Sequence, residues 1–199
     1  MQPLFTHNLL DLGVWLASLL IWRVMEASVD IRTLKRFRAG IQRQDKGSHV
    51  VLLCLVVFGL LLGVLLAFKV PVTALTGASV FLFWLGILLI DAGIVLRLYA
   101  IIVLGAFFTT TVAIAPEQTV IEAGPYRLIR HPSYTGFLMI LLGFGLSLTN
   151  WLSLLVIMGC ALIGISYRIR VEEHVLQEQL GQRYQEYIRR TKRLIPFVL

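Results

Sequence analysis

The chain has 199 residues, of which 58% are hydrophobic and only 15% charged, with a mean hydropathy of +0.83. Soluble domains carry roughly 45–50% and about 25% respectively, so a water-soluble enzyme, a disordered chain and a disulfide scaffold are excluded. The formal net charge is +7. Because the basic residues sit in short segments between apolar runs, membrane orientation explains them and nucleic acid does not.

Crossing a bilayer takes about 20 mostly apolar residues. The first such stretch runs near Asn8–Met25. Its first basic residue, Arg23, follows the apolar part, which predicts a retained span and not a cleaved signal peptide. A basic loop over 30–47 comes next, with Arg32, Lys35, Arg36, Arg38, Arg43 and Lys46. The second span, His49–Phe68, lacks Asp, Glu, Lys and Arg, and only Lys69 follows it closely. The third, about Ala78–Val103, is interrupted by Asp91 and Arg97. A mid-span carboxylate is costly, so Asp91 is expected to face the bundle interior or a water-filled path. Arg97, nearer the end, is expected to snorkel. Cys54 and Cys160, inside apolar runs, read as small core residues.

The region from Thr109 to Pro132 is the long polar connection inside the chain. Short β-prone pieces, Thr109–Ile114 and Thr119–Ile121, flank Pro116, and Gly124-Pro125 marks a turn. Arg130-His131-Pro132 then opens a helix, with proline suited to its first turn. The residues before it lie at the positive end of a helix dipole, or serve as interfacial anchors. From His131 to Tyr167 no Asp, Glu, Lys or Arg occurs. One helix of that length would run about 55 Å, too long for a single pass. Thr149-Asn150 is expected to turn it into a hairpin with arms near Tyr134–Leu148 and Trp151–Tyr167. Gly143-Phe144-Gly145 reads as close helix packing.

Beyond Tyr167 the chain carries seven basic residues from Arg168 onward. If the fifth helix continues, Arg168 and Glu172 share one face; Leu176, Leu180 and Tyr184 follow at helical spacing, with Gly181 a break. Tyr187, Ile188 and Leu194-Ile195-Pro196-Phe197 would fold the tail back on the membrane surface. The fold expected is therefore an all-α integral membrane protein of five transmembrane helices, N-terminus outside and C-terminus cytoplasmic, its last two spans a hairpin. Residues 1–103 would form three spans, and 104–199 a catalytic half of connector, hairpin and amphipathic tail. No P-loop, GxGxxG turn after a strand, HExxH or paired CxxC is present.

Taken together, Gly124-Pro125-Tyr126-Arg127, Arg130-His131-Pro132-Ser133-Tyr134-Thr135-Gly136 and Arg168…Glu172-Glu173…Gly181…Tyr184…Tyr187 resemble the signature of the isoprenylcysteine carboxyl methyltransferases and their prokaryotic relatives. Asp45-Lys46-Gly47-Ser48 is also similar to prokaryotic members. The RHPxYxG block alone suits phospholipid N-methyltransferases and membrane sterol reductases too. The RxxxEE spacing and Arg193-Leu194-Ile195-Pro196 point to the carboxyl methyltransferase branch.

The resemblance implies a helical membrane enzyme that uses S-adenosylmethionine on the cytoplasmic side, with a membrane lipid or lipidated substrate as methyl acceptor. It implies that Tyr126, His131, Tyr134, Glu172 and Glu173 bind the cofactor, with Glu172 on its ribose hydroxyls or amino group. Arg168 and Glu172 would be the catalytic pair, Arg168 holding a carboxylate of either cofactor or acceptor. A carboxylate is ionised at neutral pH and needs no base, whereas an amine must first lose a proton. Alternatives are a phospholipid N-methyltransferase and a non-enzymatic transporter or scaffold.

Overall fold

The computed structural model describes residues 3–38, 45–110 and 119–195. They form five α-helices: α1 (Leu9–Arg38), α2 (Ser48–Lys69), α3 (Ser79–Leu104), α4 (Pro132–Ser147) and α5 (Trp151–Arg190). Short 3-10 turns join them, and no strand occurs among the described residues. Four helices, α1, α2, α3 and α5, contain stretches long and apolar enough to cross a membrane; α4, at 16 residues, is shorter. Large apolar side chains such as Leu61, Phe81, Leu88 and Leu155 point outward, as a lipid-facing shell requires.

Small residues set the packing. Gly86 and Gly93 of α3 lie against Gly143 and Gly136 of α4, two turns apart on each helix, so the two run antiparallel with backbones touching. A methyl group on Gly93 would come within 2.6 Å of the Gly136 carbonyl oxygen. On α2, Gly59 and Gly63 receive Cys160 and Ile157 of α5, and Ser153 Oγ donates to the Gly63 carbonyl at 2.7 Å. The α3–α4 and α2–α5 pairs join through α4 and α5.

The hairpin turn falls where expected. Thr149 takes a positive φ of 51°, and Asn150 Oδ1 caps α5 by accepting from Ser153 N at 3.0 Å. Asn150 Nδ2 donates to Thr73 Oγ1 at 2.7 Å, so the α2–α3 and α4–α5 turns are pinned at one end of the bundle. The polar segments gather at the other end. There α1 leans on α3 and no extensive interface joins it to α2, which leaves a cleft between α1 and α2.

Several expectations are corrected. Arg32 and Lys35 lie on α1, which runs on to Arg38, instead of in a loop; Arg43 falls outside the described residues. Thr119–Ile121 is irregular chain, and most of Thr109–Ile114, with Pro116, falls outside the described residues. Asp91 is exposed on the outer face of α3 beside Leu88 and Val95, because it sits two residues before Gly93, about 200° around the helix from the face that meets α4. Arg97, one turn after Gly93, shares that inner face and is buried instead of snorkelling. Cys54 is exposed and Cys160 half-buried, so Cys54 is not a core residue.

Candidate functional site

The polar end of the bundle is organised by Arg168, which is 2% exposed where α5 leaves the apolar core. Its Nη1 donates to Asp45 Oδ1 and, at 2.7 Å, to Ser48 Oγ. Its Nη2 reaches the Thr110 carbonyl at 2.9 Å, and its Nε donates to Tyr134 Oη at 3.1 Å. Tyr134 Oη in turn donates to Glu172 Oε2 at 2.7 Å. Arg168 and Glu172 do face the same way, but the Tyr134 hydroxyl stands between them and no direct ion pair forms. The carboxylate on Arg168 is the chain's own Asp45, and four of the five guanidinium N–H groups are engaged among the described residues.

Glu173 turns the other way. Its Oε1 accepts from Arg130 Nε at 2.9 Å and lies 3.4 Å from His131 Nε2; its Oε2 accepts from Arg193 Nη2 at 2.8 Å. Burial alone would raise its pKa, but the bonds from His131, Arg193 and Arg130 outweigh it and bring the carboxyl down to about 2. These bonds fasten the tail. Arg130 N donates to the Lys192 carbonyl at 2.7 Å, His131 N to the Arg193 carbonyl at 3.0 Å, and Thr135 Oγ1 to the Leu194 carbonyl at 2.7 Å. The tail thus pairs with the 128–135 segment; Pro196 and Phe197 fall outside the described residues. Gly181, with φ 56°, supplies the bend in α5 that brings Tyr184 and Tyr187 back, and Tyr187 Oη donates to the Tyr126 carbonyl at 2.7 Å.

Between these networks lies a cavity of about 360 Å³. Tyr126, His131, Tyr134, Arg168 and Glu172 all line it; Glu173 does not, which makes it a support for the wall. Tyr184, Leu176, Leu180 and Phe107 complete the polar end. The cavity continues into the cleft, walled by Trp22 on α1, Leu52, Val56 and Leu60 on α2, and Phe137 on α4. Where the two compartments meet, Arg97 makes a bidentate pair with Glu26, Nε to Oε1 at 2.5 Å and Nη2 to Oε2 at 2.9 Å. Arg97 Nη1 also donates to Ser133 Oγ at 2.8 Å, and its guanidinium stands 5.1 Å from the centre of the Phe137 ring.

Burial pushes the phenols of Tyr126, Tyr184 and Tyr187 upward, with the Glu172 carboxylate adding to the rise for the first two. They stay neutral at physiological pH and act as donors and π-faces, not bases. Glu172 spends one carboxylate oxygen on Tyr134; among the described residues its other oxygen has no hydrogen bond. A cavity of aromatic rings with one open carboxylate fits a cationic sulfonium carrying a diol and an ammonium group.

Sequence reasoning assigned no role to Asp45, Ser48, Glu26 or Trp22. Glu26 stands one turn from Arg23 on α1, so the local ion pair that this spacing suggests masks its pairing with Arg97, 71 positions away. Asp45 and Ser48 lie in the stretch that resembles prokaryotic members, but the pairing with Arg168, 123 positions from Asp45, is not legible there.

The geometry defines a class: a helical membrane protein with a cavity that joins a polar, aromatic cup to an apolar cleft open between two helices. Residues 84–178 match the family model described as the isoprenylcysteine carboxyl methyltransferase family. It is 36% identical over 115 residues to protein-S-isoprenylcysteine O-methyltransferase B of Arabidopsis thaliana, covering 57% of this chain and 58% of that one. The Saccharomyces cerevisiae protein-S-isoprenylcysteine O-methyltransferase is 36% identical over 116 residues, 57% of this chain and 48% of the relative. The solved eukaryotic intramembrane Ras methyltransferase ICMT superposes with a TM-score of 0.61 at 26% identity, over 73% of this chain and 52% of that one. The chain thus spans about half to three-fifths of the length of these relatives.

Proposed function

We propose that the protein is an S-adenosylmethionine-dependent carboxyl O-methyltransferase whose acceptor is a membrane-borne, isoprenylcysteine-like carboxylate. The observation that carries this is the continuity of the cavity: a polar cup for a water-soluble donor opens into an apolar cleft suited to a lipid tail. The relatives named above support the acceptor chemistry.

The donor supplies an electrophilic methyl group on a sulfonium sulfur. Glu172, through its open oxygen, holds the donor's hydroxyl or ammonium groups, and Tyr126, Tyr134 and His131 enclose it. Arg168 acts by fixing Tyr134, which aims Glu172. Glu173 is a positioning residue for Arg130 and His131. The chain's part in the chemistry is to align acceptor and donor and to exclude water; alignment alone can supply several kcal/mol. The neutral tyrosines offer no base, which suits an acceptor that arrives ionised.

The topology proposed has five passes, α4 being the short one, with the Arg168 end cytoplasmic by the distribution of basic residues. On this reading residues 1–103 shape the cleft and 104–199 hold the donor. Membranes containing the protein, given radiolabelled S-adenosylmethionine and a farnesylated cysteine, should form base-labile methyl ester. Stable label in phospholipid headgroups would replace the proposal with N-methylation, and no binding of millimolar S-adenosylhomocysteine would replace it with a scaffold.

A further inference from the structure

Two guanidinium groups that line the cavity, Arg168 and Arg97, each carry a carboxylate from the N-terminal half and are held differently. Arg168 is fastened by Asp45, Ser48, Tyr134 and Thr110, from three segments, and is built in. Arg97 is held by the carbonyl and hydroxyl of Ser133 and by one acid, Glu26, and that acid rides on α1, the helix with no extensive interface across the cleft. The Glu26–Arg97 pair lies where an acceptor's carboxylate must stand if its apolar tail lies in the cleft and its acid reaches the donor cup.

We propose that Glu26 is an internal stand-in for the acceptor carboxylate: the incoming acid displaces it from Arg97, and Glu26 turns to Arg23, three residues earlier on α1. This rests on the carboxyl methyltransferase reading and names how that site recognises its acceptor. Arg23 is exposed, lines the same cavity and is a neighbour of Glu26 on the helix surface. Exchange of one carboxylate for another keeps the buried Arg97 paired throughout, which avoids the large penalty of an uncompensated buried charge. Trp22 Nε1, which donates to Glu26 Oε1 at 3.2 Å, makes the pair part of the cleft wall, so its release also loosens the wall through which a lipid arrives.

The same exchange accounts for release of the product. In the transfer an acceptor oxygen forms an O–CH3 bond as the methyl–sulfur bond breaks, leaving a neutral ester and a neutral thioether. A neutral ester cannot hold a guanidinium as a carboxylate does. Glu26 then returns to Arg97 and the ester is left with only its apolar contacts.

The test compares N-acetyl-S-farnesylcysteine with its methyl ester, titrated into detergent-solubilised protein saturated with S-adenosylhomocysteine. Wild type binds the acid in preference to the ester. Glu26→Gln, which lowers competition for Arg97, should tighten the acid about tenfold (roughly 1.4 kcal/mol) and leave the ester unchanged. Arg97→Gln should abolish the preference. Should Glu26→Gln fail to fold, Glu26→Asp, whose shorter acid reaches Arg97 less well, should tighten the acid by a smaller factor. If neither variant tightens the acid, or Arg97→Gln keeps the preference, the stand-in is refuted. A wild type that binds S-adenosylhomocysteine but neither acid nor ester refutes the carboxyl methyltransferase reading itself.

Discussion

Replacing Glu173 with glutamine tests whether the tail is locked by charge or only by its backbone bonds. Glu173 is 4% exposed and engages Arg130, His131 and Arg193 at once. Its carboxyl is held at about 2, well below the ordinary carboxylate value of 4.5. At 1.36 kcal/mol per unit this is roughly 3 kcal/mol of stabilisation, at the lower edge of the about 3–5 kcal/mol lost when one partner of a buried pair is removed. The sign follows from the lowered value: the contribution is fully present above about pH 4.5 and is lost as pH falls through about 2. At neutral pH, Glu173→Gln should therefore speed trypsin cleavage after Lys192 and Arg193 by roughly two orders of magnitude. In thermal melts, the gap between wild type and variant should close as pH drops from 4.5 toward 2, a difference that cancels the other carboxylates. A cleavage rate within threefold of wild type, or a gap independent of pH, refutes the charge-lock argument.

Asp45→Asn should destabilise the protein by about 3–5 kcal/mol, since it strands Arg168 in a buried site; the double variant Asp45→Asn/Arg168→Met should recover much of the melting temperature but no methyl transfer. Tyr134→Phe removes the hydroxyl between Arg168 and Glu172. With hydrogen bonds to charged groups worth about 1.5–3 kcal/mol, calorimetry should show S-adenosylhomocysteine binding weakened at least tenfold, and unchanged affinity would remove Glu172 from the donor site. Gly136→Ala places a methyl within 2.7 Å of the Gly93 carbonyl and 2.8 Å of Arg97 N. It should cost about 1–3 kcal/mol of stability by overpacking and lower acceptor affinity, while Gly159→Ala, which meets nothing within 4 Å, should do neither.

The parts legible in the sequence were those set by neighbouring residues. The Thr149-Asn150 turn, the proline opening α4, the break at Gly181 and the shared face of Arg168 and Glu172 each depend on local backbone chemistry or helical spacing. The glycines of α4 signalled close packing, although Gly143 meets α3 and Gly145 meets Leu154 of α5. What could not be read was the partner of each buried charge. Arg97 looked like a snorkelling residue because position along a helix is visible in sequence and azimuth relative to another helix is not. Its azimuth is fixed by Gly93, whose contact with Gly136 turns the following turn of α3 inward. The family resemblance groups Glu173 with Glu172, yet consecutive helical residues point about 100° apart, which sends one acid into the cavity and the other toward the tail.

The pairings also bear on how the two halves of the chain are divided. Two buried guanidinium groups of the cavity take their acids from the N-terminal half, Asp45 serving Arg168 of α5 and Glu26 serving Arg97 of α3, while Arg130 pairs with Glu173 of α5. The apolar core crosses the boundary at residue 103 as well, with Phe83 and Ile90 packed among Ile140, Phe144 and Ile157. Residues 1–103 and 104–199 therefore share one core and are not two folding units. Expressed alone, residues 104–199 would expose the glycine faces of α4 and leave Arg168 without its acid, so the segment should neither purify as a folded species nor bind S-adenosylhomocysteine. Co-expression with residues 1–103 should restore both, because the missing contributions are packing and charge and not a continuous backbone.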